Sequence, residues 1–191
     1  MQLRNTMKSE LKTLGKCLIG WPLMYASRYV KRSIIFAERR DLMNRMGHCE
    51  SDLALGLDWD VRGEENNFIG KDVYIGPSVL MIADRGAEIH IGDKVMLGPG
   101  VKLIASDHRF DDPSRPIKDS GYGVLADIHI GSDVWIGSAA IILKGVHIGN
   151  GSVIGAGSVV TKSVGTCEIW AGNPARKIKN RFAVYLTSVR R

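Results

Sequence analysis

Ile130-Gly131-Ser132-Asp133-Val134-Trp135 is followed at once by Ile136-Gly137-Ser138-Ala139-Ala140-Ile141, and the beat continues through Ile142, Ile148 and Ile154 to Val160. The unit reads aliphatic, Gly, any, any, small, any. Earlier copies are Ile69-Gly70-Lys71-Asp72-Val73-Tyr74 and Ile75-Gly76-Pro77-Ser78-Val79-Leu80, then, after a slip in phase, Ile91-Gly92 and Leu97-Gly98. Self-similarity at a fixed six-residue period is the mark of a parallel β-helix.

Strand side chains alternate between faces, so positions 5 and 1 of successive units share a face and the residue between them points away. Val73 and Ile75 are therefore expected inside with Tyr74 outside, and Val134 and Ile136 inside with Trp135 outside. Positions 3 and 4 carry turn formers, among them Pro77-Ser78, Pro99-Gly100, Ser132-Asp133 and Asn150-Gly151. A short strand and a tight corner make one side of a triangular prism. Three sides, about 18 residues, make a coil, and coils stack about 4.8 Å apart. A sandwich of short strands is the rival, but its turns would be longer and unevenly spaced.

Composition suits one globular domain with appendages: 191 residues, 45% hydrophobic, 24% charged. Eight of the 22 glycines occupy position 2 of the clear units, so glycine here means corners, not disorder. No run of 18 apolar residues is present, and Met1–Lys12 lacks the apolar core of a signal peptide. Cys17, Cys49 and Cys167 have neither metal-ligand nor disulfide spacing. A reducing, cytoplasmic setting is expected, with the cysteines used in packing.

The net charge of +6 is unevenly spread. Residues 1–50 and 176–191 are basic, and residues 51–175 are acidic. The basic ends read as solvated faces, or as contacts to phosphate or to an anionic membrane surface. No nucleic-acid motif accompanies them. Residues 1–48 hold no hexapeptide and read as helices at Arg4–Ile19 and Leu23–Met46 on either side of Gly20-Trp21-Pro22. The expected organisation is a helical segment at 1–48, a β-helix at 49–164 with a degenerate first coil, and a tail at 165–191 ending in a basic segment that reads as a short helix.

One interruption breaks the repeat, from Ala105 to Asp127. Loops of this length in compact domains are usually functional or disordered. His108 sits on it, whereas His90, His129 and His147 occupy outward wall positions and His48 has no motif. A histidine on a loop held by a rigid scaffold is placed as a general base would be. The same loop offers Asp107, Arg109, Asp111, Asp112, Arg115 and Tyr122, a set suited to hydrogen-bonding a polar acceptor.

Ile136-Gly137-Ser138, Ile154-Gly155-Ala156-Gly157-Ser158-Val159-Val160-Thr161-Lys162 and Ala171-Gly172-Asn173-Pro174-Ala175-Arg176 resemble the hallmark of the hexapeptide-repeat O-acetyltransferases, of the maltose and galactoside type and the polysaccharide-modifying and lipopolysaccharide-biosynthesis type. The resemblance covers about residues 60–182. It implies a left-handed β-helix, a homotrimer with active sites between subunits, and acetyl-CoA as co-substrate, with no metal. His108 then corresponds to the general base that takes the acceptor hydroxyl's proton, and Trp135 to a donor aimed at the developing oxyanion. Ser138, Ala156 and Gly157 correspond to contacts with the pantetheine arm, and Thr161, Lys162, Arg176 and Lys179 to the region of the CoA phosphates and adenine.

The acceptor positions do not carry over. Ser78 stands where sugar acetyltransferases place an asparagine, and Gly86 where they place a carboxylate, with Asp84 and Glu88 beside it. The acceptor expected is a hydroxyl of a sugar or polysaccharide precursor, bound by Asp84, Arg85, Asp107, Arg109 and Tyr122. The basic N-terminal helices would hold the enzyme at the inner face of a membrane. Rival acceptors are a small amino acid and an antibiotic. Rival classes are a zinc γ-type carbonic anhydrase, which the single loop histidine disfavours, and a non-catalytic scaffold.

Overall fold

The computed structural model describes residues 37–50 and 53–182. Three parallel sheets form the walls of a left-handed β-helix. The first stacks His48–Cys49, Asn67–Ile69, Ile89–Ile91, Ile128–Ile130 and His147–Ile148. The second stacks Ala54–Leu55, Tyr74–Ile75, Met96–Leu97, Trp135–Ile136, Val153–Ile154 and Glu168–Gly172. The third stacks Asp60–Arg62, Leu80–Ile82, Lys102–Ile104, Ile141–Leu143 and Val159–Val160.

Each coil donates one strand to each wall, and the hexapeptide explains how. Val73, Ile75, Val134, Ile136, Ile142 and Ile154 are fully buried, while Tyr74 and Trp135 face out. A buried Ile or Val contributes about 1.5–3 kcal/mol, and the column repeats that gain on every side of every coil. Position 2 is glycine because coils touch there: a Cβ on Gly98 would lie 2.7 Å from the Ser138 nitrogen. Position 4 takes a positive φ at most corners, whether the residue is Ser78 (57°), Ala139 (58°) or Gly157 (65°). The corner thus needs a left-handed turn, and most residue types there accept its cost of about 1–2 kcal/mol.

Insertions collect at the corner after the third wall. Paired residues of uninterrupted coils are 18 apart, as for Ser132 and Asn150. Lys71 and Asp93 are 22 apart, because the short 3₁₀ turn Asp84–Gly86 is inserted between them. Glu88 and Asp127 are 39 apart, because the excursion at 105–127 leaves from the same corner. The phase slip and the long loop are therefore stacked, one above the other.

The two ends of the prism stand differently against the sequence reading. Residues 37–45 are helical, and Leu42 and Met46 are buried in the same core as Leu53 and Ile69. The remainder of the expected helices lies outside the described residues. At the other end, Ala175–Asn180 is a strand, not a helix. It pairs antiparallel with Glu168–Gly172. The Glu168 carboxylate accepts from Lys177 across this hairpin and from the Trp170 indole N–H on its own strand, which holds Glu168 below the usual carboxylate range. A lysine- and arginine-rich outer strand also shields the open sheet edge.

Candidate active site

The excursion is an ordered neck with a tip. Its two limbs close on each other through Arg109 N–H to Gly121 O (3.0 Å) and Gly123 N–H to Asp107 O (3.0 Å), with His108 and Tyr122 opposite each other. The wall below holds the outgoing limb, since Ser106 Oγ donates to Asp84 Oδ1 at 2.7 Å. The wall above holds both limbs. Lys144 Nζ donates to Asp107 Oδ1 at 2.7 Å and to Val124 O at 2.6 Å.

His108 is exposed, and its imidazole stacks on Tyr122 with ring centroids 5.2 Å apart. The Arg85 guanidinium lies 3.5 Å from the Tyr122 ring centroid. A cleft of about 490 Å³ opens beside them, with Phe110 and Val124 on its rim. Arg109 pairs with Asp111 at 2.9 Å, which holds the Asp111 carboxyl below its usual range. Asp112 is lowered likewise by the Ser114 hydroxyl. Asp111 and Asp112 are thus already engaged with neighbours. Its aromatic and apolar surface is open, with Phe110 75% and Val124 80% exposed.

The structure therefore brings His108, Tyr122, Arg85, Asp107 and Arg109 into one place and sets Asp84 beneath them. The other anticipated residues lie elsewhere on the chain. Ser138, Ala156 and Gly157 are exposed and rise along the corner between the second and third walls, tied by Gly157 N–H to Ser138 O at 2.8 Å. A Cβ on Gly157 would meet nothing within 4 Å, so the edge there is bare. A long, thin group could lie along this edge against the backbone, which is what a pantetheine arm requires. Thr161 and Lys162 are exposed at the corner after the third wall, and Arg176 and Lys179 on the terminal strand. Trp135 is 54% exposed on the second wall, in register with Met96 and Val153. It lines a cleft with Lys94, Asp133 and Arg181 that shares no residue with the cleft at His108.

Three features escaped the sequence reading. Lys144 and Phe110 belong to the loop site, and only an alignment of coil against coil could have brought Lys144 to it. The wall histidines are not isolated surface residues. Phe68, His90, His129 and His147 stack face to face up the first wall, with ring centroids 4.7 Å apart at each step. Among the described residues no three His, Cys, Asp or Glu side chains are grouped as a metal site.

Comparison with known proteins agrees with this geometry. The description "bacterial transferase hexapeptide (six repeats)" matches residues 127–162. A candidate acetyltransferase of Dictyostelium discoideum is 36% identical over 162 residues, 74% of this chain and 81% of that protein. A chloramphenicol acetyltransferase of Klebsiella aerogenes is 58% identical over 107 residues, 48% of this chain and 51% of its own length. Among solved structures, a hexapeptide-repeat acetyltransferase of Vibrio cholerae complexed with acetyl-CoA superposes with a TM-score of 0.67 at 31% identity, covering 75% of this chain and 76% of that one. A maltose O-acetyltransferase of Clostridium difficile gives 0.68 at 32% identity, covering 76% and 75%.

Proposed function

This chain belongs to the hexapeptide-repeat acetyltransferases, and on that premise we propose that it O-acetylates a hydroxyl of a sugar or of a polysaccharide precursor. Acetyl-CoA supplies the activated thioester carbonyl. The observation that carries the site is His108 itself, an exposed imidazole on a pinned loop at the mouth of a cleft.

His108 accepts the proton of the acceptor hydroxyl as that oxygen bonds to the acetyl carbon, and returns it to the departing thiolate sulfur. An imidazole suits both halves because its free pKa, about 6.5, lies close to working pH. The Trp135 indole N–H donates to the carbonyl oxygen as negative charge builds on it, a contact worth about 3 kcal/mol when well aimed. Ser138, Ala156 and Gly157 line the path of the pantetheine arm. Thr161, Lys162, Arg176 and Lys179 meet the phosphates and adenine.

His108 and Trp135 lie on different sides of one prism. The reading therefore needs a second copy whose corner approaches the loop, in a cyclic trimer with three shared sites. The exposed column Tyr74, Met96 and Trp135 on the second wall gives such an assembly apolar surface to cover.

The acceptor reading rests on the loop. Asp84, Arg85, Asp107, Arg109 and Tyr122 supply polar partners, and Phe110 supplies a free ring for the apolar face of a sugar. An antibiotic acceptor is the second reading, favoured by the Klebsiella relative and by the exposed Phe110 and Val124. Free-thiol release from acetyl-CoA, measured against mono- and oligosaccharides with chloramphenicol and serine alongside, separates them. Turnover of saccharides is expected. Turnover of chloramphenicol or serine with no saccharide active overturns the sugar assignment.

A further inference from the structure

Lys144 lies in the wall, far in sequence from His108, and has no part in the chemistry outlined above. Its place follows from register. Leu143 pairs with Ile104, the last strand residue before the chain leaves for the excursion. The next residue up, Lys144, therefore stands over the loop's point of departure. From there Nζ reaches Asp107, which precedes His108 on the outgoing limb, and the carbonyl of Val124, two residues past Tyr122 on the returning limb. The neighbouring Gly145 N–H binds the carbonyls of Ala126 and Asp127 at 3.2 and 3.1 Å, so the same corner also fixes the loop's re-entry.

Space at the neck is tight. A Cβ on Gly123 would fall 2.2 Å from Asp107 Oδ1, the atom that Lys144 holds. The Lys144 side chain is only 29% exposed, with its ammonium between the limbs. An exposed ion pair alone would count for little. Here one ammonium joins both limbs of the excursion to the corner that follows the strand Ile141–Leu143. The geometry points to Lys144 as a positioning residue: it clamps both limbs of the excursion to the wall and thereby sets the placement of His108 and Tyr122. The inference rests on His108 being the base.

The clamp is tested on the full-length protein by Lys144→Met, which keeps the chain length and removes the donor. Without any substrate, hydrogen exchange at the Arg109 and Gly123 amides should quicken at least tenfold, with exchange in the strands of the three walls unchanged. In turnover, kcat should fall about tenfold or more, while KM for acetyl-CoA stays within twofold. Adding Asp107→Ala to Lys144→Met should not quicken exchange at the Arg109 and Gly123 amides further, because Lys144→Met already removes the link that Asp107 makes. Unchanged exchange at Arg109 and Gly123 overturns the clamp. Faster exchange with full kcat overturns the positioning role. His108→Ala with full kcat would instead overturn the assignment of the base, and the exchange result would still decide the clamp.

Discussion

Tyr122 and His108 face each other across the neck of the excursion, ring centroids 5.2 Å apart and planes inclined by 27°, with Arg85 against the tyrosine ring. This pairing gives Tyr122 a different part from the one its position suggests. It is a support for the imidazole as well as a wall of the cleft. A stacked pair is worth about 0.5–1.5 kcal/mol, and a cation over a ring a similar amount. Tyr122→Ala is therefore expected to lower kcat about tenfold while leaving acetyl-CoA affinity unchanged. Steady-state kinetics with calorimetry on the free enzyme checks both halves.

Glycines at positions 2 and 4 of the repeat should respond differently to alanine. At Gly98 the new Cβ would press on the Ser138 backbone, which cannot give way, so Gly98→Ala should cost about 1–3 kcal/mol and lower Tm. At Gly157 there is open space, and Ala139 already occupies the equivalent corner at nearly the same φ. Gly157→Ala meets no clash, so it should lower Tm only through the strain of a left-handed φ, about 1–2 kcal/mol, and it should weaken CoA binding, because the methyl group intrudes on the bare edge. Thermal unfolding and a CoA titration of both variants test the distinction.

The imidazole stack on the first wall predicts a pH dependence. Burial, then the neighbouring His90 and His147, lowers the pKa of His129, against the opposing pull of Asp127 and Glu88. The unfolded chain then takes up a proton at a higher pH than the folded one. Above about pH 6.5 both forms are neutral and nothing is lost. As pH falls from there through the lowered folded value, stability declines. His129→Gln should flatten the denaturant midpoint between pH 7.5 and 5.5 (about the range of a histidine switch). A midpoint that falls as steeply in the variant as in the wild type would remove His129 as the cause.

CoA binding should weaken as salt rises, since Lys162, Arg176 and Lys179 are exposed and screened over about 8–10 Å. Arg176→Ala should cost about tenfold, the worth of one charged hydrogen bond. Equal calorimetric affinity for CoA and its 3′-dephospho form would refute the phosphate contact.

Much of the fold could be read from residues near one another in sequence. The burial of Ile136 and Ile154 and the exposure of Trp135 follow from a period of six, and the exposed place of His108 follows from the one long break. What stayed hidden depends on coil stacking. Lys144 and Asp107 are 37 residues apart, and the ring stack joins Phe68 to His90 and His90 to His129 across insertions of different length. The reading of the C-terminal basic segment as a helix missed Ala175–Asn180 for the same reason, and residues 183–191 lie outside the described ones. Ala175–Asn180 becomes a strand because Glu168–Gly172 offers it a sheet edge and a carboxylate for Lys177. Local charge could not reveal that partner.

The most direct test of His108 as the base is acetyl transfer by His108→Ala, followed as free thiol at saturating acetyl-CoA with a saccharide that the wild type accepts. The side chain is exposed and outside the core, so folding and CoA affinity should be retained. The account predicts a fall in kcat of about 10²-fold or more, the usual worth of a positioned general base. Turnover within tenfold of wild type would contradict it.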